Sequence, residues 1–220
     1  MGLESLGVVN LPTFLLGTLI VILLPGPNSL LIVSTVARGG VRSGYLAAGG
    51  IVLGDLVLIT LAAAGLASVL LANPAVFAVL RIAGGAYLGL IGLGLLREAW
   101  RRAQQSGTDA VPATPNVTQV QRPLRSALLT SLTNPKAILF LMAFFIQFID
   151  RRYPHPALSF AVLGLCTQVM SIVYLNLLIH GSARLVEMFR RQRRLAVVLN
   201  GCAGALFLGF GARIAAATAH

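Results

Sequence analysis

Leu24-Pro25-Gly26-Pro27-Asn28 interrupts an apolar run that extends from Leu11 to Ala37. The run is long enough to cross a bilayer, whose hydrocarbon core takes about 20 helical residues. Pro25 and Pro27 have no N–H to give the carbonyls of Val21 and Leu23, and each proline pushes the residue before it out of α geometry. The helix must therefore break at mid-span. Non-helical backbone at membrane depth is tolerated only where it is buried in protein or lines a watery cavity, so the break points to a site. A packing kink would need one proline. Here a Pro-Gly-Pro-Asn sequence is followed at once by a fresh apolar run from Ser29.

The rest of the composition agrees with a membrane protein. The chain has 220 residues, 57% hydrophobic and 10% charged, with a mean hydropathy of +0.86. A soluble domain has more charge and less apolar surface. Six segments reach or approach spanning length, at about 12–37, 45–72, 76–96, 124–149, 157–182 and 195–217. The expected fold is an all-α integral membrane protein of one transporter domain over 1–220. Glu4 is the only charge before the first span, and no small-residue cleavage site follows it. A cleaved signal peptide is not expected.

Of the 17 Lys and Arg residues behind the net charge of +11, 12 sit in alternate loops. Arg38 and Arg42 follow span one; Arg97, Arg101, Arg102, Arg122 and Arg125 lie between spans three and four; Arg184, Arg190, Arg191, Arg193 and Arg194 lie between spans five and six. The positive-inside bias makes these loops cytoplasmic and both termini external. Such clusters orient the protein and touch anionic lipid headgroups, so membrane lipid is an expected partner and nucleic acid is not. Cys166 and Cys202 lie in apolar spans without a CxxC partner and read as small packing residues. His155, His180 and His220 have no metal-ligand spacing. No metal or other cofactor is expected.

The chain repeats itself. Residues from about 101 to 123, rich in Gln, Thr, Pro and Ser between Ala103 and Gln121, read as a cytoplasmic linker. It separates a first half at about 11–100 from a second at about 124–217. The second half has its own mid-span break, Leu132-Thr133-Asn134-Pro135-Lys136. Aligning Pro27 with Pro135 sets Gly26 against Asn134 and Asn28 against Lys136. Gly85 to Gly92 in the third span likewise aligns with Gly204 to Gly211 in the sixth. Three spans per half is an odd number, so the halves enter the membrane in opposite directions, the inverted-repeat plan of many secondary transporters. Helices 1 and 4 are the broken ones.

Two half-helices that begin at mid-membrane present unpaired N–H groups and positive dipole ends. The amides of Asn28, Ser29 and Leu30, and of Lys136, Ala137 and Ile138, would converge into an anion site suited to a carboxylate. An amino group would meet freed carbonyls such as Val21, Leu23 or Ser131, or Asp55. Substrate contacts are thus expected at Pro25, Gly26, Pro27, Asn28, Ser29, Asn134, Pro135 and Lys136. Asp55 and Lys136 are the ionisable residues near mid-span, costly there unless paired. They are expected to partner one another and to couple substrate to proton. Gly49, Gly50 and Gly54 read as room for a close helix approach, and Gln168, Asn176 and Asn200 as interhelical hydrogen-bonding groups.

Pro25-Gly26-Pro27-Asn28, Gly54-Asp55 and Ser131-Leu132-Thr133-Asn134-Pro135-Lys136-Ala137 together resemble the signature of the lysine exporter and homoserine/threonine resistance family of bacterial amino-acid exporters. Gly44 to Ala48, Ser131 to Phe140, Phe145 to Asp150 and Gly209 to Arg213 are most similar to its leucine-exporting branch. The resemblance implies a multi-pass inner-membrane exporter of neutral amino acids, leucine or related aliphatic ones, driven by proton antiport. Its partners would be an amino-acid substrate and a proton, and a homodimer stays open. A passive channel is the nearer alternative. A membrane-embedded lipid-modifying enzyme is the remoter one, since its chemistry would need a nucleophile with a base or paired carboxylates.

Overall fold

The computed structural model describes residues 6–24, 26–72, 74–104, 122–150, 152–191, 197–198, 201–202, 204–209 and 212. Among them every regular element is helical, apart from an isolated antiparallel bridge between Val8 and Ile149. The helices are α1 (Leu11–Leu23), α2 (Pro27–Ala72), α3 (Pro74–Gln104), α4 (Pro123–Leu132), α5 (Pro135–Phe144) with a following 3-10 turn (Phe145–Phe148), and α6 (Pro156–Arg191). Pro156–Gly181 is apolar and long enough to cross a bilayer, as is Pro27–Gly65, although Gly40 divides the latter into two arms. Pro123–Leu132 and Pro135–Phe148 make a further span if counted as one helix bent by 48°.

α2 is two helices joined head to tail. Gly40 has φ 72° and ψ −177°, outside helical geometry and in the region only glycine enters freely. Gly44 lies against the side chain of Val36, whereas an unbroken helix would hold these positions roughly 12 Å apart. The chain therefore folds back at Gly40. Ile32 on the first arm (27–39) shares a buried cluster with Ala47 and Ile51 on the second (41–72). With α1, only 13 residues and roughly 20 Å long, the first arm forms a broken helix like that of α4 and α5.

Packing is tightest where the second arm of α2 crosses α4. A Cβ on Gly54 would come within 2.7 Å of Ser131 Cβ, and one on Gly50 would collide with the Leu124 carbonyl and Ala127. Gly50 and Gly54 thus face Ala127 and Ser131, small residues four apart on both helices, which lets the backbones touch. Gly49, expected to share this role, has open space around it. It is one residue off the contact stripe. Gly92 of α3 makes a comparable approach to Gly204.

Two apolar clusters hold the helices. One is aromatic, with Phe14, Phe144, Phe145 and Phe160 fully buried beside Phe140, Phe148 and Phe207. Phe14 meets Phe144, Phe145 and Phe148 with ring centroids 5.2–5.7 Å apart, separations that favour edge and offset contacts. The second cluster is aliphatic, with Ile32, Ala47, Ile51, Ala127 and Ile179 at its centre. Outside the aromatic cluster the N-terminal segment pairs with the end of the second broken helix: Val9 N–H donates to the Phe148 carbonyl and Asp150 N–H to the Gly7 carbonyl, both at 2.8 Å. The start of α1 and the end of the 3-10 turn therefore share one face of the bundle.

Several boundaries differ from the sequence expectation. α3 continues to Gln104, four residues into the expected linker, because Arg101, Arg102, Ala103 and Gln104 are good helix formers free to leave the apolar core. α6 runs on to Arg191, so the basic stretch from Arg184 continues the fifth span's helix. Cys202 is exposed, and only Cys166 packs against a core cluster. Asn200, Arg193, Arg194, Arg213, most of the sixth span and the stretch 105–121 lie outside the described residues.

Candidate functional site

Leu24 ends α1 with φ −64° and ψ 122°, the extended geometry required of a residue before proline. Pro25 itself lies outside the described residues. α2 restarts at Pro27, and Leu30 N–H closes its first turn on the Gly26 carbonyl at 3.0 Å. In the second break Asn134 has ψ 106°, and its side-chain oxygen accepts the Lys136 N–H at 3.0 Å. That is an N-cap, with Pro135 in the first helical position where its missing N–H costs nothing.

The two breaks meet. Lys136 Nζ donates to the Leu24 carbonyl at 2.6 Å. A Cβ on Gly26 would lie 3.4 Å from Lys136 Cδ and 3.6 Å from its Nζ, so the lysine stem runs in van der Waals range of the first break. Asp55 arrives from the second arm of α2 and accepts a hydrogen bond from Ser131 Oγ at 2.5 Å, made possible by the Gly54 contact one residue away. Around these groups lies a cavity of about 100 Å³. One water occupies roughly 10–15 Å³ by this measure, so the space holds a solute of several heavy atoms.

Gly26, Asn28, Ser29, Asp55, Asn134 and Lys136 all line the cavity. Pro27 and Pro135 do not; they begin the half-helices that frame it. Asn28 Oδ1 is buried with no hydrogen-bond partner among the described residues. The walls are completed by Ile51, Ile59, Phe140 and Leu141, and by Thr167, Ser171, Tyr174 and Leu175 of α6. Sequence reasoning missed the α6 residues. The signal was there, since hydroxyls at 167, 171 and 174 fall on one helix face.

Three expectations are corrected. The amides of Leu30, Lys136 and Ile138 are not open to an anion, because the Gly26 carbonyl, the Asn134 side chain and the Asn134 carbonyl already accept them. The Ser131 carbonyl is taken by Asn134 N–H at 3.1 Å, in a tight turn that the proline break permits. Among the described residues no ion pair joins Asp55 to Lys136: the first is held by Ser131, the second by Leu24. Gln168 and Asn176 do serve as interhelical groups. Gln168 Nε2 donates to the Val52 carbonyl at 3.3 Å, and Asn176 Oδ1 accepts from Tyr45 at 2.9 Å.

The cavity lies between the two helix breaks, and comparisons with known proteins identify the family of the chain. The family model described as LysE type translocator matches residues 19–218. An uncharacterized membrane protein of Pseudomonas aeruginosa is 48% identical over 216 residues, covering 98% of this chain and 99% of its own. Leucine efflux proteins of Salmonella typhimurium and Klebsiella pneumoniae are 38% and 39% identical, each over 95% of this chain and 96% of its own. No solved structure matches. Membership of a translocator family accords with the apolar helices. The chain belongs to the LysE type translocator family of membrane transport proteins.

Proposed function

We propose that the protein exports neutral amino acids, leucine or related aliphatic ones, across the bacterial inner membrane by proton antiport. The observation that carries this reading is the meeting of two broken helices at a cavity that holds one ammonium, Lys136, and one carboxylate, Asp55. A zwitterion complements both. Its carboxylate displaces the Leu24 carbonyl from Lys136, exchanging a neutral acceptor for a charged one. Its ammonium meets Asp55 and the unpartnered Asn28 Oδ1. When the substrate leaves, Asp55 takes a proton, which makes the release of one the condition for binding the other. The efflux named in the 38–39% identical relatives supports the direction and the aliphatic substrate.

The architecture that goes with this function is six spans in two inverted halves, about 11–100 and 124–217, with the linker cytoplasmic and both termini external. The side-by-side breaks and the shared face of α1 and the 3-10 turn support it. The decisive test loads cells with labelled leucine and follows its loss with and without the protein. Faster efflux against an outward-facing excess, abolished by a protonophore, is expected. Equilibration that stops at equal concentrations would leave a channel, and no change in efflux would overturn the reading.

A further inference from the structure

We propose that Ser171 of α6 sets which amino-acid side chain the cavity accepts. The inference rests on the export reading above and extends it to the substrate's third substituent. The carboxylate and ammonium are met by Lys136, Asp55 and Asn28, all on or beside the two breaks and the second arm of α2. Besides Ser29 at the first break, the remaining polar wall is a stripe of α6, Thr167, Ser171 and Tyr174, at a spacing that puts all three on one face. It carries no charge and faces what is left of the substrate.

Two of its three hydroxyls are already committed. Thr167 Oγ1 donates to the Leu163 carbonyl at 2.9 Å, within its own helix, and Tyr174 OH donates to Ser29 Oγ at 3.3 Å, fixing the ring against the first break. Ser171 makes no hydrogen bond among the described residues and is only half-buried, although it lines the cavity. The large apolar liners Ile51, Ile59, Phe140, Leu141 and Leu175 belong to the two core clusters, so changing them would disturb packing on their far sides. Ser171 is small and central in the stripe, and its hydroxyl makes no hydrogen bond that a substitution would break among the described residues. Its size and polarity therefore translate into the space given to the substrate side chain.

The test measures competing export of labelled alanine, leucine and phenylalanine from the same cells, so that ratios are independent of expression. Ser171→Leu fills the space and lowers the leucine-to-alanine ratio by at least about 10-fold, the discrimination that a methylene or more in an apolar pocket supplies. Ser171→Gly opens it and raises the phenylalanine-to-leucine ratio. Should Ser171→Leu fail to reach the membrane, the glycine variant carries the test alone. Ratios within twofold of the parent protein in the variants that insert would overturn the assignment while leaving export intact. A parent protein that exports none of the three would overturn the export reading, and the assignment with it.

Discussion

Lys136 sits in the first turn of α5, yet its ammonium is bonded to the carbonyl of Leu24, the residue that ends α1. A cation at the start of a helix faces the positive end of that helix's dipole, and a cation at the end of a helix is stabilised by the negative end. By reaching 2.6 Å from Leu24 the side chain escapes the first and gains the second. The same bond clamps one broken helix to the other. Asp55 is therefore not needed to hold Lys136 in place.

Lys136→Met removes the one ammonium among the described residues that line the cavity, and with it the charge-assisted bond proposed to the substrate carboxylate. Such bonds contribute about 1.5–3 kcal/mol, so substrate affinity is expected to fall by roughly 10- to 150-fold, a tenfold change corresponding to about 1.4 kcal/mol. Efflux assayed over a range of internal leucine concentrations should show the loss, while immunoblotting shows the protein still in the membrane. Unchanged half-saturation would remove Lys136 from the site.

The crossing of α2 and α4 gives a prediction with its own control. Gly54→Ala forces a methyl into Ser131, and Gly50→Ala forces one into the Leu124 backbone. Overpacking of this kind costs about 1–3 kcal/mol. Both variants should unfold at lower temperature in detergent than the parent. Gly49→Ala, which meets open space, should match or exceed the parent, since alanine is the better helix former.

Much of this site was legible in the sequence because prolines act locally. Pro25, Pro27 and Pro135 fix where helices stop whatever surrounds them, and the breaks fall where those residues put them. The long-range partners were harder. Asp55 and Lys136 looked like a pair because no other ionisable residues stood near mid-span, but sequence does not show that Ser131 and the Leu24 carbonyl lie closer. The same holds for α6, whose role depends on which face of the helix turns inward. Gly40 follows the first apolar run in the sequence, but its positive φ, which folds α2 back in one residue, is a backbone fact that the sequence does not display.

The bridge between Val8 and Ile149 predicts a cross-link. Opposed residues in an antiparallel pair have Cα atoms about 4.5–5.5 Å apart, inside the disulfide range. With Cys166 and Cys202 replaced by serine, Val8→Cys with Ile149→Cys should oxidise within one molecule and shift mobility on a non-reducing gel. Val8→Cys paired with Leu129→Cys, at an exposed residue of α4, should not. If the first pair stays reduced under oxidant while the second links, the N-terminal segment does not lie along the end of the second broken helix.

Asp55→Asn tests whether the carboxylate couples transport to protons or merely fixes α2 against α4. Asparagine keeps an oxygen to accept the Ser131 hydroxyl, so the hydrogen bond at the helix crossing survives and the fold should too. What disappears is the charge, and with it the group able to take a proton when substrate departs. The variant is expected to reach the membrane, to unfold near the parent temperature and to lose uphill efflux, while exchange of internal for external leucine persists because exchange needs no net proton movement. Adding Lys136→Met should then abolish exchange as well, without rescuing efflux. If Asp55→Asn exports leucine against a gradient at the parent rate, Asp55 is a packing residue that happens to border the cavity, and the proton must travel by another route.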